Sequence, residues 1–188
     1  EYRFDLAAQA LYEFTWYEFC DWYLELSKPV LQASSTSAAA QRGTRQTLVR
    51  VLETLLRLLH PIMPFITEEI WLGVAALAGR TGPTIMLEPY PRADEFARDA
   101  AAESELGWVM SFILGVRQIR GEMDISPAKR FAVLLANASA RDLELARRHG
   151  GYLERLAQVS AIRALAPGEL APQSATALLG ELRILVPM

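Results

Sequence analysis

Residues 5–33 carry Tyr12, Thr15, Phe19, Tyr23, Leu26 and Val30 at spacings of three and four, which predicts one long helix with a single buried stripe. A second helix is expected over about 45–59, capped by Thr44, with Leu48, Val51, Leu52, Leu55 and Leu59 on its apolar face. Arg42, Gln46, Arg50, Glu53 and Arg57 fall on the opposite side. His60-Pro61 ends that helix, because the residue before a proline avoids the helical region. A third helix begins at Pro64 and runs to about Ala78, with Gly79 as its C-terminal cap. Residues 80–98 read as an extended loop. A fourth helix, about 100–122, should bury Leu106, Val109, Met110, Ile113 and Val116. Four amphipathic helices of this length predict an antiparallel bundle.

The pattern changes after Ile125-Ser126-Pro127. Phe131 to Ala136 reads as a buried strand, and 140–159 as helix broken at Gly150-Gly151. Ile162 to Leu165 and Thr176 to Leu179 read as strands, and Gly180-Glu181 suits a two-residue hairpin turn into Leu182 to Val186. The expected fold class is mainly α: a four-helix bundle over 1–124, then a small α+β module over 125–188. The loop 33–43 includes the only low-complexity stretch, at 34–40.

Composition removes several function classes. With 22% charged residues and no run of 18 apolar ones, a membrane span is excluded. Acids through residues 1–33, with no basic region before a cleavage site, exclude a signal peptide. Cys20 is the single cysteine, so no internal disulfide forms, which fits a reducing, cytoplasmic setting. One cysteine and two histidines cannot supply a spaced zinc set. No glycine-rich phosphate loop, GxSxG elbow or HExxH occurs, and the adjacent Glu68 and Glu69 point to different helix faces. No catalytic residue is expected, and no cofactor within these residues. The chain opens inside a helical pattern and without Met, so it reads as a piece of something longer.

Three groups suit binding. Seven of the twelve residues from Tyr12 to Tyr23 are aromatic, more than one stripe can bury, and Phe14, Trp16 and Tyr17 fall away from it. An exposed ring of this kind stacks on an unpaired base; packing against a further protein layer is the alternative. Arg42, Arg45, Arg50 and Arg57 form a second group, and Arg117, Arg120, Lys129 and Arg130 a third, at the joint between modules. Such groups hold phosphates, or else lie on a solvated face paired with acids such as Glu122 and Asp124. The net charge is −3, so any nucleic-acid contact must be local. His60 at a helix end suits either a ligand contact or the helix's free carbonyls.

The run Phe14-Thr-Trp16-Tyr-Glu18-Phe19-Cys20-Asp21-Trp22-Tyr23-Leu24-Glu25, followed by Lys28-Pro29, resembles the first helix of the anticodon-binding domain of bacterial valyl-tRNA synthetases. The segment from Leu58 through His60-Pro61 and Met63-Pro64-Phe65 to Trp71 resembles one shared by the valine, isoleucine and leucine enzymes. Thr84 to Pro91 and Arg117 to Lys129 are similar to the segments that follow in that family. The resemblance implies a class I synthetase whose ATP- and Mg-dependent chemistry lies in another domain. The His-Ile-Gly-His and Lys-Met-Ser-Lys-Ser types of signature are both absent here. It also implies a terminal coiled coil beyond residue 188. The implied partners are the anticodon arm of tRNA(Val) and the other domains of a monomeric synthetase. Phe14, Trp16 and Tyr17 would offer stacking surfaces, with phosphate contacts from Arg42, Arg45, Arg50, Arg117, Arg120 and Lys129. The equivalent region of an isoleucine or leucine enzyme, or a helical protein-docking scaffold, remains open.

Overall fold

The computed structural model describes residues 2–166 and 168–187. They form two compact units, one running up to Arg98 and the other starting at Asp99. The helical part expected over 1–124 is thus divided, with its fourth helix grouped with the strands.

In the first unit one continuous helical path changes its winding twice. Helix α1 (Phe4–Glu13) passes into a π-helical stretch (Phe14–Leu24) and then into α2 (Glu25–Gln32). A π-helix pairs i with i+5, so its turn is wider than an α-turn and rotates every later side chain. The stripe expected from α-spacing is therefore broken: Phe19 and Leu26 are buried, whereas Tyr12 is 57% exposed. Helix α3 (Ala38–Leu59) starts earlier than expected. Ser37 caps it by accepting from Ala40 N, and the three alanines that follow favour helix strongly. Thr44, the expected cap, lies inside the helix and donates to Ala40 O.

Helix α4 (Pro64–Val74) follows a four-residue turn, and a short 3-10 turn ends at Gly79 with φ 74°. Leu56, Trp71, Ala75 and Ile85 make its core cluster. Beside that cluster sits a buried ion pair. Glu53 is 2% exposed and Arg57 4%. The Arg57 guanidinium donates twice to Glu53, at 2.7 and 3.0 Å, and once to Pro89 O. Trp71 Nε1 donates to the same carboxylate at 3.3 Å, and Arg80 Nε lies 3.2 Å from it. Arg57, expected on the solvated arginine face, is thus internal: it ties α3 to the 80–91 loop. Glu68 fixes the same loop by accepting from Thr84 Oγ1 and Ile85 N.

The second unit begins with α5 (Ala100–Glu122), capped by Asp99. Val109, Phe112, Ile113, Val116 and Ile119 are buried along it, while Leu106, expected in the core, is 37% exposed. The mixed sheet has the order β2-β1-β4-β3, with β1 (Phe131–Ala136) parallel to β2 (Val159–Ala164) and the other pairs antiparallel. Between β1 and β2 run α6 (Ala140–Arg148) and α7 (Gly150–Leu156). The hairpin of β3 (Ser174–Leu179) and β4 (Leu182–Pro187) turns through Gly180-Glu181, with Gly180 at φ 61°. Helix α5 packs on β3 and β4. Gly115 allows this approach: a Cβ there would lie 3.2 Å from Ala177 Cβ and 3.4 Å from Ile184 Cδ1.

Burial alone would raise the Glu53 carboxyl, but Arg57, Trp71 and Arg80 more than offset it and hold the group below its ordinary value. Its folded pKa is therefore depressed, so the pair's contribution is fully present above the unfolded carboxylate range. It is lost as pH falls through the lower folded value. Glu53→Gln and Arg57→Met should each destabilise by about 3–5 kcal/mol in urea melts at neutral pH, because each strands the buried partner. The Glu53→Gln penalty should shrink on acidification. Gly115→Leu should cost about 1–3 kcal/mol through overpacking, read the same way.

Candidate nucleic-acid interface

The packing of the first helical path on α3 decides which expected binding residues meet. Leu11 and Phe14 face Val51, Thr54, Leu55, Leu58 and Phe96 across an apolar groove of about 270 Å³. Phe14 is 47% exposed at this groove. The Arg50 guanidinium lies over the Phe96 ring, 5.1 Å from its centroid, and Nη2 donates to Glu95 O at 3.0 Å. Phe14 and Arg50, two of the expected residues, are thus joined through Phe96. Sequence reasoning missed Phe96 because it stands in the irregular 80–98 loop, where no periodicity marks a face. Its only signal was being a large aromatic ring in a polar stretch.

Trp16 and Tyr17 are 53% and 52% exposed. Both pack on Tyr12: Trp16 is stacked at 6.4 Å with the planes 3° apart, and Tyr17 is edge-on at 6.4 Å. The wide π-turn brings these three rings outside together, a cluster that α-spacing did not show. Arg42 and Arg45 are exposed, and no hydrogen bond or ion pair among the described residues engages them. The helical rise places Arg42 about 12 Å from Arg50 along α3.

The third expected group has another role. Arg120 donates from Nη1 to Ser126 O and Lys129 O and from Nη2 to Ala157 O and Gln158 O, at 2.8–3.2 Å. Its guanidinium also covers the Phe131 ring at 4.5 Å, and desolvation lowers its pKa. Arg117 donates to Leu156 O, and Arg130 to Glu154 O and Val159 O. Three cations therefore satisfy the carbonyls that α7 leaves unpaired at its C-terminus. They also hold the turn at Gln158, whose φ of 54° is unusual for a residue with a side chain. The terminal donors of Arg120 are consumed by the fold, so it is poorly placed to grip a phosphate. Lys129 remains exposed.

His60 serves structure as well. Thr67 Oγ1 donates to Met63 O, so its lone pairs face His60 Nδ1 at 2.7 Å, and that nitrogen carries the hydrogen. Among the described residues no group of three metal-ligating side chains forms a site, and no helix is long and apolar enough to cross a membrane.

Residues 1–135 match the family described as anticodon-binding domain of tRNA ligase. The chain belongs to that family. The chain is 49% identical over 187 residues to valine--tRNA ligase of Legionella pneumophila (strain Paris), covering 100% of this chain and 20% of that protein. The relative from Legionella pneumophila (strain Lens) is 48% identical, with the same 100% and 20% covered. The chain thus spans about a fifth of the length of the curated relatives it matches. The match to 1–135 takes in the aromatic groove and Arg117, Arg120 and Arg130, but not α7, whose end those arginines hold.

Arg120→Ala should remove several charge-assisted bonds at once and lower stability by about 3 kcal/mol or more. Arg42→Ala should stay within about 0.5 kcal/mol. Thermal or urea melts of the two variants separate the structural arginine from the free one.

Proposed function

We propose that this anticodon-binding domain recognises the anticodon arm of tRNA(Val) as part of a valine–tRNA ligase. In that reading α1 to α5 act as the family's RNA-binding helical region, the four-helix part of the fold. The ligase joins valine to its tRNA with ATP and Mg in a domain outside these residues, as a cytoplasmic monomer. The identity to valine–tRNA ligases along the chain supports the choice of valine.

The observation that carries the RNA contact is the groove where Phe14, Phe96 and Arg50 meet. Anticodon loops present unstacked bases, which proteins read by stacking and by hydrogen bonds to base edges. Phe14 offers a half-exposed face to such a base, with Trp16 and Tyr17 as an adjoining stacking cluster. Arg50 borders the groove, and Arg42 and Arg45 extend the positive track along α3 toward the phosphates. Lys129 supplies a further contact in the second unit, while Arg117 and Arg120 act by holding the backbone near it. The acidic first helix, with net charge −4 over residues 1–33, restricts approach to these places.

The test is tRNA binding by the full-length ligase, with tRNA(Val) against a non-cognate tRNA at low and high salt. Phe14→Ala and Trp16→Ala should each weaken binding by about 1–3 kcal/mol. Arg42→Ala and Arg45→Ala should each reduce the salt dependence by about one phosphate contact. Affinity for tRNA(Val) within about twofold of wild type in a folded Phe14→Ala, Trp16→Ala double variant defeats the stacking assignment. Equal binding of both tRNAs defeats the valine assignment.

A further inference from the structure

A second apolar groove, of about 230 Å³, lies between α1 and the α3–α4 turn, lined by Ala8, Tyr12, Thr15, Leu59, Ile62 and Met63. None of its lining side chains is charged. No Asp, Glu, Lys or Arg occurs from Leu58 through Thr67 or from Leu6 through Tyr12. Large apolar side chains nevertheless stand in solvent there: Tyr12 is 57% exposed, Ile62 48%, Met63 42%, and next along the chain Phe65 89% and Ile66 53%. Contiguous exposed apolar surface of this kind marks an interaction site. Its composition fits the centre of a protein interface, where aromatic residues and methionine are enriched and charges depleted. RNA is a poor occupant, because no cation stands on these segments to neutralise phosphate.

We infer that this face docks against the remainder of the ligase polypeptide. The inference rests on the ligase reading above. What favours that occupant is length: the chain accounts for 20% of each of the two relatives named above, leaving four-fifths of those polypeptides to provide a covering surface. The complementary surface is apolar and low in charge. The groove takes one of its projecting side chains, while Phe65 and Ile66 insert outward into it. The turn that presents Ile62 and Met63 is rigid, held by Pro61 and Pro64 and by the His60–Thr67 hydrogen bond, so the face is preorganised for docking.

Hydroxyl-radical footprinting of the full-length ligase without tRNA tests this, with each residue's oxidation rate divided by its rate in the denatured protein. Met86 and Tyr90, 74% and 57% exposed, serve as references on the first unit's own loop. Burial in an interface core leaves little water access, so Tyr12, Met63 and Phe65 should oxidise roughly tenfold more slowly than their exposures here imply. Oxidation at the rate those exposures imply overturns the proposal. So does protection that appears only on adding tRNA, which makes RNA the occupant. Protection that follows self-association in sedimentation makes it a second copy and equally overturns it. Valine charging by the same preparation reports on the ligase reading separately: charging with unprotected residues defeats only the docking face, and protection without valine charging defeats only the valine reading.

Discussion

A carboxylate out of water stays charged only if its oxygens are paired, and Glu53 sets the first unit's organisation on that condition. Its partners come from three places: Arg57 one turn along α3, Trp71 on α4, and Arg80 after the Gly79 cap. Satisfying one acid therefore fixes a helix pair and the loop behind it. The loop is the part with least intrinsic order, and it is held by Arg57 at Pro89 O and by Glu68 at Thr84 and Ile85. The same loop carries Phe96, against which Arg50 rests. The candidate groove thus borders a loop that the buried ion pair helps to hold.

The second unit solves a different problem with the same residue type. Helix α7 ends beside a residue in the left-handed region, and like any helix it leaves its last carbonyls without intrahelical partners. Arginines from α5 and from the start of the sheet region fill those positions. Arginine suits this because one planar guanidinium serves several carbonyls in fixed directions. A cluster of cations at a module boundary thus looks alike in sequence whether it awaits phosphate or backbone oxygen.

Local signals were legible where one residue type dictates one conformation. Pro64 at a helix start, Gly79 at φ 74° and the Gly180-Glu181 hairpin follow from single-residue constraints, and the strand Phe131–Ala136 from a short apolar run. The helix over 5–33 was legible as an element, but not the faces it shows. Periodicity assumes a constant turn, and the π-helical stretch coincides with the aromatic run that carries the family resemblance. The start of α3 was misplaced because small residues read as loop while alanine prefers helix. The fourth helix was legible in extent, yet its partner was not, since an amphipathic face fits a helix or a sheet equally well.

The sequence by itself determined the family, the helical elements and the absence of a known catalytic signature. Those follow from residue identities in order along the chain. Only the tertiary structure decided which charges are spent. Arg57, Arg120 and Arg42 are the same side chain in one dimension. Burial against Glu53, the open end of α7, and open solvent give them three different tasks. Desolvation and hydrogen-bond geometry depend on neighbours that lie far away in sequence, so pattern alone could not tell the structural arginines from those free to meet RNA.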